Sequence, residues 1–367
     1  MAVKYLAGDR LIGTAAERAA LSGNTLGSIA QTSWKELDRI TLGSSSAEVE
    51  VTGLTAKDNL MILVYSIGSN TNDAFISFNG DEGSNYANRY ARNGGNESND
   101  PSQSIGLRYE QGATTPQFAV ITVRNIASKE KLVIGHTVTQ NSTGANSPTR
   151  QEWTGKWANT SNAITQVTLD RASGTFDSGT ELIVLGCDDD EADSGTNFWQ
   201  ELSNTDLSAG ASDNINSGTI TAKKWLMVDC HIVPATYNHG NSNIIVNSDT
   251  AQANYSMRRN YDGGNESNET YAGSNPSGSS NGMYTGFGEN RSSLSMHTMI
   301  ANVSGKEKLM MWHMNIAIAG AGNTGDRVES VGKWHTTSGQ ITNFKIYTGA
   351  NGNAFGTTTR MRVWGAD

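Results

Sequence analysis

The residues best suited to chemistry fall in a few places. In the stretch Asp188-Asp-Asp-Glu-Ala-Asp-Ser-Gly195, carboxylates alternate at Asp189, Glu191 and Asp193, the hard oxygen donors that calcium takes. An EF-hand loop starting at Asp189 would need glycine at its sixth position and a bidentate Glu at its twelfth. The chain has Ser194 and Gln200 there, so a solvated charged linker is the stronger reading. His136 and His313 each follow a Lys-Glu-Lys-Leu block. Zinc or nucleophilic chemistry would need further ligands, and no H-x-x-x-H, C-x-x-C or G-x-S-x-G motif supplies them. Each is therefore expected as a sheet-face or core histidine making one hydrogen bond. Arg150-x-Glu152 and Arg327-x-Glu329 put opposite charges two residues apart, on one face of a strand. The neighbouring guanidinium favours the ionised carboxylate, the wrong direction for the general acid of a glycosidase. A surface or intersheet ion pair is expected instead. Trp157 and Trp334 close these segments and are expected in the core, with stacking on sugar rings as the alternative if they are exposed.

Gly320-Ala-Gly-Asn-Thr-Gly325 matches G-x-G-x-x-G, but the dinucleotide fingerprint requires a following helix to receive pyrophosphate. The following Arg327-Val-Glu-Ser-Val reads as a strand, so a hairpin loop is expected. Cys187 and Cys230 are the only cysteines and do not occupy matching positions, so a repeated disulfide framework is excluded and free, buried thiols are expected. N-x-S/T sequons recur, as at Asn96, Asn141 and Asn302, and a chain this rich in Asn, Ser and Thr generates them by chance. No cofactor is expected.

The elements that carry these residues come from a duplication. Trp34-Lys-Glu-Leu matches Trp199-Gln-Glu-Leu, and Gly-Gly-Asn-Glu-Ser-Asn occurs at 94–99 and at 263–268. Lys129 to Trp157 aligns without gaps on Lys306 to Trp334, sharing the histidine, the Arg-x-Glu and a Gly-Lys-Trp. Each copy closes with a phenylalanine ten positions before a glycine, Phe176 with Gly186 and Phe355 with Gly365. The organisation predicted is an N-terminal arm (1–32), a first repeat (33–188), an acidic linker (189–197) and a second repeat (198–367). Such a repeat is far longer than solenoid units, so each copy is a domain. Strand-like runs lie at Trp34–Thr41, Glu48–Val51, Leu60–Ile67, Ala74–Phe78, Ile105–Tyr109, Phe118–Val123, Leu132–Thr139, Gln151–Trp157, Ile164–Leu169 and Leu182–Leu185. About ten short strands per copy, with Gly/Asn/Ser turns between them, predict an all-β fold of two tandem β-sandwich or jelly-roll domains. Leu60–Tyr65 and Leu182–Leu185 are apolar on consecutive residues, as in strands covered on both faces. In the arm, Thr14-Ala-Ala-Glu17 has capping-box spacing and predicts one short helix, which must dock on something to be stable.

Nearly half of the net charge of −9 sits at Asp189, Asp190, Glu191 and Asp193, and no basic stripe exists to collect phosphates, so nucleic acid is not an expected partner. No run of about 18 apolar residues suggests a membrane span, and the N-terminal residues lack the apolar core of a signal peptide. Synthesis in soluble form in a cytoplasm is the expectation.

Gly-Lys-Trp, an Ile-Thr seven residues further on (Ile164, Ile341) and Phe176-Asp-Ser-Gly-Thr-Glu-Leu-Ile-Val-Leu-Gly186 resemble the final strands of β-sandwich domains of phage and virus surface proteins. The opening Ala-Val-Lys-Tyr-Leu-Ala-Gly-Asp-Arg is similar to the start of proteins abundant in marine viral metagenomes. The second copy departs by carrying Gly-Thr-Thr358 where the first has Asp-Ser-Gly179. The resemblance implies a non-enzymatic virion structural protein (capsid, decoration, head-fibre or tail-fibre component) that assembles with itself and other virion proteins. A glycan-binding adhesin, using Gly-Gly-Asn-Glu-Ser-Asn loops or exposed aromatics, is the alternative.

Overall fold

The computed structural model describes residues 33–68, 73–102, 104–107, 115–189, 197–208, 212–235, 242–262, 267–270, 282–285, 293–318, 324–348 and 354–367. The arm with its expected helix, most of the acidic linker and the expected loop at 320–323 lie outside the described residues.

The protein is all-β. The first copy contributes β1 (Lys35–Thr41), β2 (Glu48–Val51), β3 (Asn59–Ile67), β4 (Ala74–Phe78), β5 (Tyr86–Arg92), β6 (Ser98–Ser102), β7 (Ile105–Gly106), β8 (Pro116–Arg124), β9 (Lys131–Thr139), β10 (Thr149–Trp157), β11 (Val167–Arg171) and β12 (Glu181–Cys187). The second contributes β13 (Gln200–Asp206), β14 (Asn214–Asn216), β15 (Trp225–Ile232), β16 (Asn243–Val246), β17 (Tyr255–Tyr261), β18 (Ser267–Thr270), β19 (Met283–Tyr284), β20 (Ser293–Ala301), β21 (Lys308–Ala317), β22 (Asp326–Trp334), β23 (Phe344–Tyr347) and β24 (Arg360–Ala366). Among the described residues each copy forms an eight-stranded and a four-stranded antiparallel sheet. The orders are β1-β12-β3-β8-β9-β10-β5-β6 over β2-β11-β4-β7, and β13-β24-β15-β20-β21-β22-β17-β18 over β14-β23-β16-β19. Strand for strand, the two topologies are the same.

Sequence patterning missed β5 and β6. Tyr86-Ala-Asn-Arg-Tyr-Ala-Arg92 is polar and poor in branched residues, and β6 contains Pro101. β6 is the edge strand of the sheet, where proline is tolerated, and β5 lies between it and β10. The altered last turn of the second copy closes like the first: Thr180 N–H donates to Asp177 O at 3.1 Å and Thr359 N–H to Gly356 O at 3.1 Å. Asparagines hold the loops in both copies. Asn79 and Asn247 sit at φ 54° and 50°, each accepting backbone N–H bonds from the stretch before β11 or β23. Asn125 and Asn302 do likewise for Ile164 and Ile341. The Asn302 amide is thereby fully buried and consumed, so that sequon offers no acceptor in the folded chain.

The expectation that β3 and β12 are covered on both faces is met, and the second cover is the other copy. Leu60, Ile62, Val64, Leu182 and Val184 point into the first sandwich, whereas Met61, Leu63, Tyr65, Ile183 and Leu185 enter a separate apolar cluster. That cluster takes Trp199, Trp225, Met227, Met299, Met311 and Trp364 from the second copy, with the Phe118 and Trp225 rings 5.5 Å apart. The two eight-stranded sheets thus pack outer face to outer face, giving four layers. Most of the expected acidic linker lies outside the described residues. Its described first residue, Asp189, is held by Arg124 at 2.5 Å and by Asn59 at 3.0 Å.

One core position differs between copies in an instructive way. Gly135 lies opposite Trp153 across β9 and β10, and a Cβ on Gly135 would sit 2.1 Å from the indole. At the matching pair in the second copy, Trp312 lies opposite Ser330. The same site in the sheet is filled by an indole from the opposite strand.

Candidate functional site

Hydrogen-bond register places His136 of β9 directly opposite Glu152 of β10, and His313 of β21 directly opposite Glu329 of β22. In the face-to-face packing β9 meets β21 and β10 meets β22, so equivalent strands touch at this point. The two imidazoles meet there, with ring centroids 4.2 Å apart and planes inclined at 55°. Side-chain donors of His136, Glu152 and His313 all lie within 4.8 Å of one another. The Nδ1 atom of His136 is buried with no hydrogen-bond partner. The expected single hydrogen bond of a structural histidine is thus not made at that nitrogen.

The Arg-x-Glu motifs meet at the same place, with unequal fates. Arg150 is 5% exposed. It bonds Glu152 and reaches across the seam to Glu329 at 3.4 Å. Arg327 is 62% exposed and approaches Glu329 at 3.5 Å. The motif is an ion pair as expected, but it joins two domains rather than two sheets of one sandwich. Both histidines keep a little accessible surface yet are enclosed by protein on nearly all sides. Burial lowers the pKa of His136 to about 3, assisted by His313, Arg150 and His297. Burial likewise lowers His313 to about 4, against the opposing pull of Glu329. Both rings are neutral at physiological pH.

A cleft of about 420 Å³ opens beside this cluster. His136, Arg150, Glu152 and Glu329 line it, together with Arg89, Tyr90, Gly94, Gly95 and Glu97 from β5 and the Gly-Gly-Asn-Glu-Ser-Asn loop. Arg89 and Glu97 pair at 2.9 Å.

The other sequence candidates are not in this cluster. Trp157 and Trp334 are buried, and their indole N–H groups donate to Asp81 and Asp249, each at 2.7 Å. Tyr86 stacks on Trp157. They are core side chains and are not presented to a sugar. The Asp189 carboxylate is engaged by Arg124, whose hydrogen bonds, together with that of Asn59, hold its pKa below the usual carboxylate range. Glu191 and Asp193, the other calcium candidates, lie outside the described residues. Cys187 and Cys230 are buried, as expected, and burial pushes the Cys230 thiol well up. Of the G-x-G-x-x-G segment, Thr324 and Gly325 are described and lead into β22, a strand. No helix among the described residues is long and apolar enough to cross a membrane.

No family model matches the chain, and no curated protein does. Among solved structures, the chain is similar to the LG1-3 region of the laminin alpha2 chain, at 7% identity over 87% of this chain and 64% of that one, with a TM-score of 0.21. It is also similar to domains LG4-5 of the mouse laminin alpha1 chain, at 8% identity over 89% and 91%, with a TM-score of 0.19. At such scores the likeness carries no functional argument. The chain spans 64% of the first of these.

Sequence reasoning missed a second polar element of the seam. Glu307 and Lys333, 6% and 0% exposed, pair at 3.1 Å beneath the segment 140–146 of the first copy. Lys333 also donates to the Gln140 carbonyl at 3.3 Å and to that of Ser142, while Gly144 N–H donates to Glu307 at 2.7 Å. The Lys-Glu-Lys-Leu and Gly-Lys-Trp repeats contain both residues, but their letters are the same in the copy where the pair is exposed.

Proposed function

We propose that this chain is a non-enzymatic structural component of a virion, of the capsid, decoration, head-fibre or tail-fibre kind. It would be made in the host cytoplasm and assemble with itself and with other virion proteins. The observation that supports this reading best is the apolar seam, which fuses two homologous sandwiches into one four-layer block. A dimer-like contact internalised within one chain fixes the spacing of two similar outer surfaces, as a repeating assembly unit requires. The resemblance of the closing strands to phage and virus surface domains points the same way.

Size-exclusion chromatography with light scattering, and electron microscopy of the purified full chain, test it. Rings, trimers or shells are expected, and deletion of residues 1–32 should abolish assembly while leaving the sandwiches folded. A strict monomer at high concentration would overturn the reading. The polar cleft favours one alternative, a glycan-binding module. Three arginines, three carboxylates and a tyrosine around about 420 Å³ suit a hydroxyl-rich or acidic sugar. A monomer giving specific signals on a glycan array that vanish in Arg89→Ala would favour it.

A further inference from the structure

We propose that His136, Glu152 and His313 form a binding site for a divalent transition-metal ion of the zinc class, tying the two sandwiches together across their seam. The proposal is independent of whether the chain serves a virion or binds a glycan.

Three features carry it. The donor set is two imidazoles and a carboxylate, which suits zinc, cobalt or nickel and is wrong for calcium or magnesium. The donors come from β9, β10 and β21, strands fixed within two packed sheets, and their ligand atoms already lie within 4.8 Å of one another. A tetrahedral ion with bonds of about 2.0–2.1 Å spaces its ligands by roughly 3.4 Å, so closing the site takes side-chain shifts on the order of 1 Å. Finally, His136 Nδ1 is buried without a partner. Such an atom is costly unless something completes it, and a metal ion would.

The local charges allow the ion to enter. Glu152 is bonded to Arg150, which would have to release it. Arg150 already touches a second carboxylate, Glu329 at 3.4 Å, and can remain paired there. His136 and Glu152 line the cleft, so the fourth coordination position opens to it and can take water.

The test uses the full chain, stripped with chelator and titrated with Zn²⁺ by calorimetry and with Co²⁺ by absorption. One ion per chain and visible d–d bands of a low-symmetry Co²⁺ site are expected. His136→Ala, His313→Ala and Glu152→Gln should each weaken Zn²⁺ by more than the roughly 10–100-fold that loss of a supporting partner costs. Arg150→Gln should tighten binding, because it removes the competitor for Glu152, a response that a purely structural role of the cluster would not give. Absence of stoichiometric uptake by the unmodified chain, or uptake that the three ligand variants leave unchanged while melting curves show them folded, would overturn the proposal. The Co²⁺ spectrum of the unmodified chain decides even if every variant misfolds.

Discussion

Glu130 with Lys156 and Glu307 with Lys333 are the same pair in the two copies. The first lies in solvent, its partners 42% and 46% exposed. The second is buried under the segment 140–146 of the neighbouring domain. Beside them, Leu132 and Ile134 are 59% and 53% exposed, whereas their counterparts Leu309 and Met311 are buried in the seam. Identical strand positions thus differ in environment because the second domain's patch is covered and the described part of the first domain's patch is not. Environment here belongs to the assembly of domains and not to the strand. One sandwich's surface has become the other's core.

Four experiments would break or sharpen that comparison. The largest effect is expected in the Gly135/Trp153 pair. Trp153→Ser should cost about 3–5 kcal/mol through the cavity it leaves, and Gly135→Trp a comparable amount through overpacking. The double variant, which copies the arrangement of Trp312 and Ser330, should recover at least about 2 kcal/mol by denaturant unfolding. Additive losses would mean that the two cores are not equivalent. Next, Lys333→Ala should cost about 3 kcal/mol, because it strands a buried carboxylate, while Lys156→Ala should cost less than about 1 kcal/mol. Equal losses would erase the distinction between the copies.

The histidine pair, where the copies meet on equal terms, gives a pH signature in metal-free protein. Its folded pKa values of about 3 and about 4 lie below the ordinary 6.5, so the unfolded chain binds more protons once pH drops below about 6.5. The stability contribution is therefore complete above pH 6.5 and is lost as pH falls toward 4 and then 3. The loss is on the order of 3 kcal/mol for His313. Melting temperatures measured from pH 7 to pH 4 should fall, and His313→Gln should flatten the slope; an unchanged slope would argue that the ring is more open to water than the packing indicates. The smallest contrast is Arg150→Ala, at about 2 kcal/mol, against Arg327→Ala, at less than about 0.5 kcal/mol.

Much of the fold was legible. The duplication, the tandem sandwiches and the buried Trp157 and Trp334 follow from repeats and period-2 patterning. So does the two-sided burial of β3, since Leu60-Met-Ile-Leu-Val-Tyr65 has no polar face to offer water. What covers the second face was not legible, because an apolar run says only that water is excluded. For the same reason His136 and His313 read as two unrelated strand histidines. Their encounter depends on how two domains dock, and no spacing within either repeat encodes it. The polar strand β6 was lost because an edge position lifts the demand for branched residues, and β5 because its polar, unbranched sequence carries no period-2 apolar signal.

The exchange of indole between strands bears on how the chain avoids misassembly. Tandem homologous domains can trade equivalent strands while folding. A hybrid sheet pairing β21 with β10 would bring Trp312 against Trp153, two indoles in space for one. A hybrid pairing β9 with β22 would set Gly135 against Ser330 and leave a void. Each copy's core therefore favours its own strands over those of its homologous neighbour, which disfavours strand exchange between the two halves of the chain.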